Sequence, residues 1–230
     1  MNETVIQVTS LGKRIKGKTI LEDISFEINQ GDCVALIGPN GAGKTVLMSC
    51  ILGDKKPSSG QVLIDGKAGK AKNKIAVLLQ ENTIPNSLKV EELIAFFQSI
   101  SDNPLTNQEV QELLQFKEDQ YQQFADKLSG GQRRLLAFVL CLIDKPKILF
   151  LDEPAAGMNP QETAELTAHI RQIQKDFGIT IILIEHDMSL VMDVTERIYV
   201  LEYGRLIAEG TPDEIKNNKR VIEAYLGGEA

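Results

Sequence analysis

The sequence predicts an α/β fold with a mainly parallel core sheet, an antiparallel β lobe and an inserted helical subdomain. Three observations point there. A buried apolar run, Cys33-Val34-Ala35-Leu36-Ile37, leads into a glycine-rich segment and then a helical pattern. A second run, Ile148-Leu149-Phe150-Leu151, ends in two carboxylates and is followed by alternating helix and strand patterns, as a parallel sheet requires. Between the two lies a stretch with helical periodicity and no strand pattern.

At 230 residues the chain is long enough to bury a core, and it reads as one domain over residues 1–230 with an inserted lobe. Its 43% apolar and 25% charged residues exclude a disordered or fibrous protein. A net charge of -7 argues against a basic footprint, so no nucleic-acid partner is expected. The longest apolar run, from Leu135 to Ile143, falls well short of the ~20 residues that span a bilayer. Met1-Asn2-Glu3-Thr4 is not a basic start followed by an apolar stretch, so a cytoplasmic location is expected. Cys33, Cys50 and Cys141 are far apart in apolar surroundings and read as reduced core thiols.

In chain order, Ile24-Ser25-Phe26-Glu27-Ile28 alternates with period two, and Cys33 to Ile37 is a buried strand ending at Gly38. A helix is predicted over 44–52, stopped by Gly53. The turn Pro57-Ser58-Ser59-Gly60 precedes strands over 61–64 and 75–79. Residues 81–131 form the helical insert, with helices over 90–100 and 107–116, the latter opened by a capping box of Thr106 and Glu109. An apolar helix over 132–143 returns the chain to the strand at 148–151. Pro160 behind Asn159 opens a helix whose Leu166, Ile170, Ile173 and Phe177 share a face. A strand over 180–184, a short helix near Met188, a hairpin over 197–209 turned at Tyr203-Gly204, and two terminal helical stretches complete the chain.

Gly38-Pro39-Asn40-Gly41-Ala42-Gly43-Lys44-Thr45 matches G-x-x-x-x-G-K-[ST] between a strand and a helix, the context this phosphate-binding loop needs. Its glycines let successive N–H groups turn toward phosphate oxygens, and the helix N-terminus adds partial positive charge. Lys44 is expected to neutralise the β- and γ-phosphates, and Thr45 to offer its hydroxyl to Mg²⁺. The run from Ile148 to Leu151, ending in Asp152-Glu153, is a Walker B pattern. Alternation along the strand is expected to turn Asp152 to the metal and Glu153 to a water in line with the γ-phosphate. Leu128-Ser129-Gly130-Gly131-Gln132 reads as a second anion site, Ser129 capping a helix whose first glycines expose N–H groups.

With this pentapeptide, nearly the whole chain resembles the ATP-binding cassette, or ABC, ATPases, a P-loop NTPase family. The resemblance implies MgATP hydrolysis with Lys44, Glu153 and His186 as catalytic residues. It makes Gln80, Thr45 and Asp152 the Mg²⁺ ligands and makes His186 the switch histidine at the γ-phosphate. It implies a head-to-tail homodimer, or a pair with another ABC ATPase subunit, in which Ser129, Gly130, Gly131 and Gln132 of one copy close on the triphosphate held by the other. It also implies a transmembrane permease bound through the helical insert at the inner face of the cell membrane. Two departures stand out. Ile15 occupies the place of the aromatic residue that stacks on adenine, and Asn159 lies where many members carry an aspartate and reads equally as a helix cap.

Residues from about 151 onward, including Glu153-Pro154-Ala155-Ala156-Gly157-Met158-Asn159-Pro160 and the ending Ile222-Glu223-Ala224-Tyr225-Leu226-Gly227, look like ATPases of branched-chain amino acid importers. The front, with Leu79-Gln80-Glu81-Asn82, looks more like ATPases of drug or peptide exporters, so a natural or engineered hybrid without a native permease is one expectation. A soluble ABC ATPase acting on ribosomes or DNA is an alternative, though such proteins usually carry tandem cassettes, coiled-coil insertions or basic extensions. A GTPase would carry N-K-x-D, whereas Asn73-Lys74 and Asn218-Lys219 continue Ile-Ala and Arg-Val.

Overall fold

The computed structural model describes residues 3–68, 75–80, 84, 85 and 87–226. Glu81, the expected start of the helical insert, and Asn82, Asn73-Lys74 and Gly227 lie outside the described residues. The chain divides into two compact units, Met1–Lys72 with Thr180–Ala230, and Asn73–Ile179. The helices expected as an insert belong to the second unit together with two strands and a long helix.

In the first unit β1 (Thr4–Ile15) and β2 (Lys18–Asn29) form a hairpin. The turn residues Lys16 and Gly17 have φ of 49° and 81°, as a two-residue turn matching the strand twist requires. β2 is longer than the alternation at 24–28 suggested, and β1 has no legible period. Register shifts between Val8 and Leu11 and again to Lys13, with Ser10 at φ 45°, move its side chains off strict alternation. The fully buried β3 (Cys33–Ile37) leads to α1 (Lys44–Ile51). β4 (Ser59–Ile64) pairs with β1, and β5 (Lys67–Ala68) pairs with β4, giving the antiparallel order β2-β1-β4-β5. The turn expected over 57–60 is shorter, because Ser59 already pairs with Gly12.

The second unit begins with β6 (Ile75–Leu78), followed by α2 (Val90–Ser99) and α3 (Asn107–Leu114). α3 ends two residues before the expected point because Gln115 turns left-handed (φ 51°) and donates its N–H to Gln111 O. Then come α4 (Glu118–Tyr121) and α5 (Gly130–Leu142), which starts at the signature glycines rather than at Gln132 because Ser129 is the cap. β7 (Ile148–Asp152) pairs parallel with β6, and α6 (Pro160–Phe177) closes the unit. Phe138, Leu149, Phe150 and Ile170 are wholly buried.

The first unit resumes with β8 (Thr180–Ile184), α7 (Met188–Val194), β9 (Arg197–Glu202), β10 (Arg205–Gly210), α8 (Pro212–Lys216) and α9 (Lys219–Leu226). β3 pairs parallel with both β8 and β9, so the strand before the phosphate loop is central and buried on both faces. Phe26 of β2 packs on Tyr199 of β9 with ring centroids 4.7 Å apart, and Tyr199 Oη donates to Glu27 O at 2.7 Å.

Candidate functional site

In the first unit, β3 delivers the chain to Gly38 (φ 151°), where any Cβ would collide with the Leu201 carbonyl of β9. Only glycine fits that approach. Lys44, 7% exposed, donates Nζ to Gly38 O at 2.6 Å and to Pro39 O at 3.2 Å, so the loop wraps its own ammonium. Ala42 N–H donates to Pro39 O at 3.1 Å and closes the turn holding Asn40 and Gly41. α1 has no side-chain cap and no acidic residue in its first turn, so its N-terminal field stays positive toward an anion. Thr45 is exposed, its hydroxyl being the hard oxygen donor that Mg²⁺ prefers.

The hairpin turn Tyr203-Gly204 supports this loop in a way the sequence did not announce. Gly204 N–H donates to Ala42 O at 2.9 Å, and Gly204 O accepts from Glu22 N–H at 2.8 Å. Arg205 Nη2 lies 2.8 Å from Glu22 Oε1 beside it. Ile15 sits at the tip of the β1–β2 hairpin, partly exposed, with its aliphatic face available. His186 follows β8 as expected and is exposed; its N–H donates to the buried Glu185 carboxylate at 2.7 Å. Burial pushes the Tyr225 hydroxyl above its ordinary pKa, and a hydrogen bond with the Gly38 main chain works against that rise.

In the second unit, Gln80 Nε2 donates to Glu153 Oε2 at 2.6 Å. Gln80 follows the end of β6 by two residues. Glu153 corrects the expectation from strand alternation. β7 stops at Asp152, and Glu153 points where it does because its backbone is left-handed, φ 47°. Arg134 of α5, 9% exposed, ties these segments together. Its Nε donates to Pro154 O at 3.0 Å, Nη1 to Leu79 O at 2.7 Å and Gln80 O at 3.1 Å, and Nη2 to Asp152 O at 3.1 Å and Glu153 O at 2.9 Å. The only sequence signal for it was an arginine two places beyond the pentapeptide on a helix otherwise rich in Leu, Phe and Val.

The pentapeptide forms the expected helix start. Ser129 Oγ accepts from Gln132 N–H at 3.2 Å, and Gln132 Oε1 accepts from Ser129 N–H at 3.0 Å. Gly130 is open, whereas a Cβ on Gly131 would strike the Glu162 side chain. Glu162 is held in place because its Oε2 accepts from Asn159 N–H at 3.0 Å, while Asn159 Oδ1 caps α6 through Gln161 and Glu162. A cavity of about 270 Å³ opens between Ser129, Gln132, Asn159, Glu162 and His169.

The first unit carries an amide-lined loop, an ammonium and a hydroxyl that suit a triphosphate. The second unit, taken by itself, carries Asp152, Glu153 and the Gln80 side-chain amide. Among the described residues no group of three or more His, Cys, Asp or Glu could hold a metal by itself. No helix of the described residues is long and apolar enough to cross a membrane.

Two family models match the chain, "ABC transporter" over residues 21–156 and "Branched-chain amino acid ATP-binding cassette transporter" over residues 205–230. The high-affinity branched-chain amino acid transport ATP-binding protein LivG of Salmonella typhimurium is 35% identical, with 99% of each chain covered. BraF of Pseudomonas aeruginosa, of the same description, is 33% identical over 99% of each chain. A solved structure of the ADP conformation of an ATP-binding cassette of an ABC transporter superposes with a TM-score of 0.85 at 26% identity, over 97% of this chain and 99% of that one. The hybrid expected from the texture of the front is not supported, since the branched-chain relatives match through both halves. Their alignments run to 253 positions against 230 residues here, so both relatives carry insertions that this chain lacks.

Proposed function

The chain belongs to the ABC transporter family as an ATP-hydrolysing subunit, and on that premise we propose that it powers transport of branched-chain amino acids by clamping MgATP between two copies of itself. The observation that carries the reading is the loop from Gly38 to Thr45, a strand-to-helix turn with glycine imposed at Gly38 and a buried lysine held by the loop's own carbonyls. Lys44 exchanges those carbonyls for the β- and γ-phosphate oxygens, a stronger charge-assisted pairing. Mg²⁺, when bound, neutralises charge on the same oxygens. Thr45, Asp152 and the amide oxygen of Gln80 are the residues that would hold it, as the family resemblance implies, Gln80 having an N–H committed to Glu153. Glu153 takes the proton of the attacking water, and His186 contacts the γ-phosphate. Ile15 offers adenine an aliphatic face in place of a stacked ring.

In this reading the N-terminus of α5, Ser129 to Gln132, closes on the triphosphate held by a second copy. The helices of the second unit receive a permease subunit at the inner face of the membrane. The branched-chain cargo is supported by the full-length relatives and by the match at residues 205–230.

The test is Glu153→Gln. Hydrolysis is expected to fall by about 10²-fold or more, the scale of a lost general base, while ATP affinity stays within about twofold. Light scattering should then show an ATP-dependent shift from monomer to dimer. Wild-type turnover in that variant, or ATP binding without dimerisation, overturns the corresponding part of the reading.

A further inference from the structure

We propose that Arg134 is a positioning residue for ATP hydrolysis, its guanidinium fixing the main chain on both sides of the Gln80–Glu153 hydrogen bond so that the Glu153 carboxylate keeps its aim. The inference rests on Glu153 acting as the base.

The local backbone needs such a clamp. Glu153 holds φ 47°, a left-handed conformation that is strained for a non-glycine residue and persists only where its surroundings over-determine it. Three successive carbonyls, of Asp152, Glu153 and Pro154, all point at one guanidinium at 2.9–3.1 Å. A free turn would let them rotate independently. The remaining donor, Nη1, holds the carbonyls of Leu79 and Gln80. Arg134 therefore sets both ends of the 2.6 Å bond from Gln80 Nε2 to Glu153 Oε2.

Chemistry explains why arginine is needed. Its donors lie in a fixed planar fork and can satisfy carbonyls from two separate segments at once, whereas lysine offers three donors from a single point. Five main-chain oxygens accept from it, so their dipoles solvate the charge, while Gln80 donates to the Glu153 carboxylate. Through these carbonyls it acts on the geometry of the base.

The experiment is a double-mutant cycle with Arg134→Lys and Arg134→Gln, each in the wild-type and Glu153→Gln backgrounds, with ATP-binding stoichiometry giving the folded fraction. For the wild-type background, kcat per folded molecule is expected to fall at least about tenfold, Gln at least as far as Lys, with KM for ATP within about twofold. In the Glu153→Gln background the same substitutions should change the residual rate by less than about twofold, because the group being aimed is already gone. An equal fold-loss in both backgrounds, an unchanged kcat, or loss of ATP binding by both variants overturns the proposal and leaves Arg134 a structural residue. If instead Glu153→Gln alone turns over like wild type, it is the role of the base that fails, and the two failures are distinguished.

Discussion

Gln80 and Glu153, 73 positions apart in the chain, are joined by a hydrogen bond of 2.6 Å from the Gln80 side-chain amide to the Glu153 carboxylate. The segment after β6 thus holds the acid after β7 directly. The bond is exposed, so it adds little to global stability, yet it biases the carboxylate toward one rotamer. Gln80→Ala should lower kcat about tenfold and alter the thermal midpoint by little, the residue being exposed. Steady-state kinetics and calorimetry check this, and an unchanged kcat would show that the bond has no part in turnover.

Gly131 and Glu162 interlock at the start of α5. Gly130→Ala is expected to change stability by less than about 0.5 kcal/mol, since a methyl there meets nothing. Gly131→Ala displaces Glu162 and breaks the capping box of α6, costing about 1–2 kcal/mol. Adding Glu162→Ala should remove the clash and recover part of the loss from Gly131→Ala. Denaturant titration of the single and double variants measures the coupling.

Gly204 underpins the phosphate loop from the far side of the sequence. With φ 78° and the Ile20 carbonyl where a Cβ would go, Gly204→Ala should cost about 1–3 kcal/mol and weaken ATP binding through Ala42. Its neighbour provides the control. Tyr203 has φ 44° and is 89% exposed, so Tyr203→Asn should be neutral or stabilise by a few tenths of a kcal/mol. Matched losses in the two variants would show that the turn is not a support.

Burial pushes the Cys141 thiol up to about 11, opposed by the positive charge of Arg134. At pH 7.5 its thiolate population is then about 300-fold below that of an ordinary cysteine. Alkylation of Cys141, resolved by peptide mass spectrometry, should be correspondingly slow and rise about tenfold per pH unit until near pH 11. The sign for stability follows. The native state keeps this proton above the ordinary thiol pKa while the unfolded chain releases it, so raising the pH toward 11 weakens the fold. Rapid labelling at neutral pH in native buffer would contradict the burial.

The sequence by itself determined the phosphate loop, the acidic strand end and the pentapeptide, because each depends on residue types at fixed short spacing. A glycine before a helix, a serine three places before a glutamine, or two carboxylates after four apolar residues carry their chemistry locally. The strand at Thr180–Ile184 and the capped start at Pro160 were legible for the same reason, and they lie where expected. β1 was not legible, because bulges near Ser10 erase its period. Only the tertiary structure decided that Glu153 leaves the strand in a left-handed turn and that Arg134 gathers five carbonyls. It alone placed Gly204 under Ala42. These are contacts between segments tens to more than a hundred residues apart, set by which main-chain dipoles are left over when strands and helices pack. Leftover carbonyls carry no side-chain identity for a sequence to display.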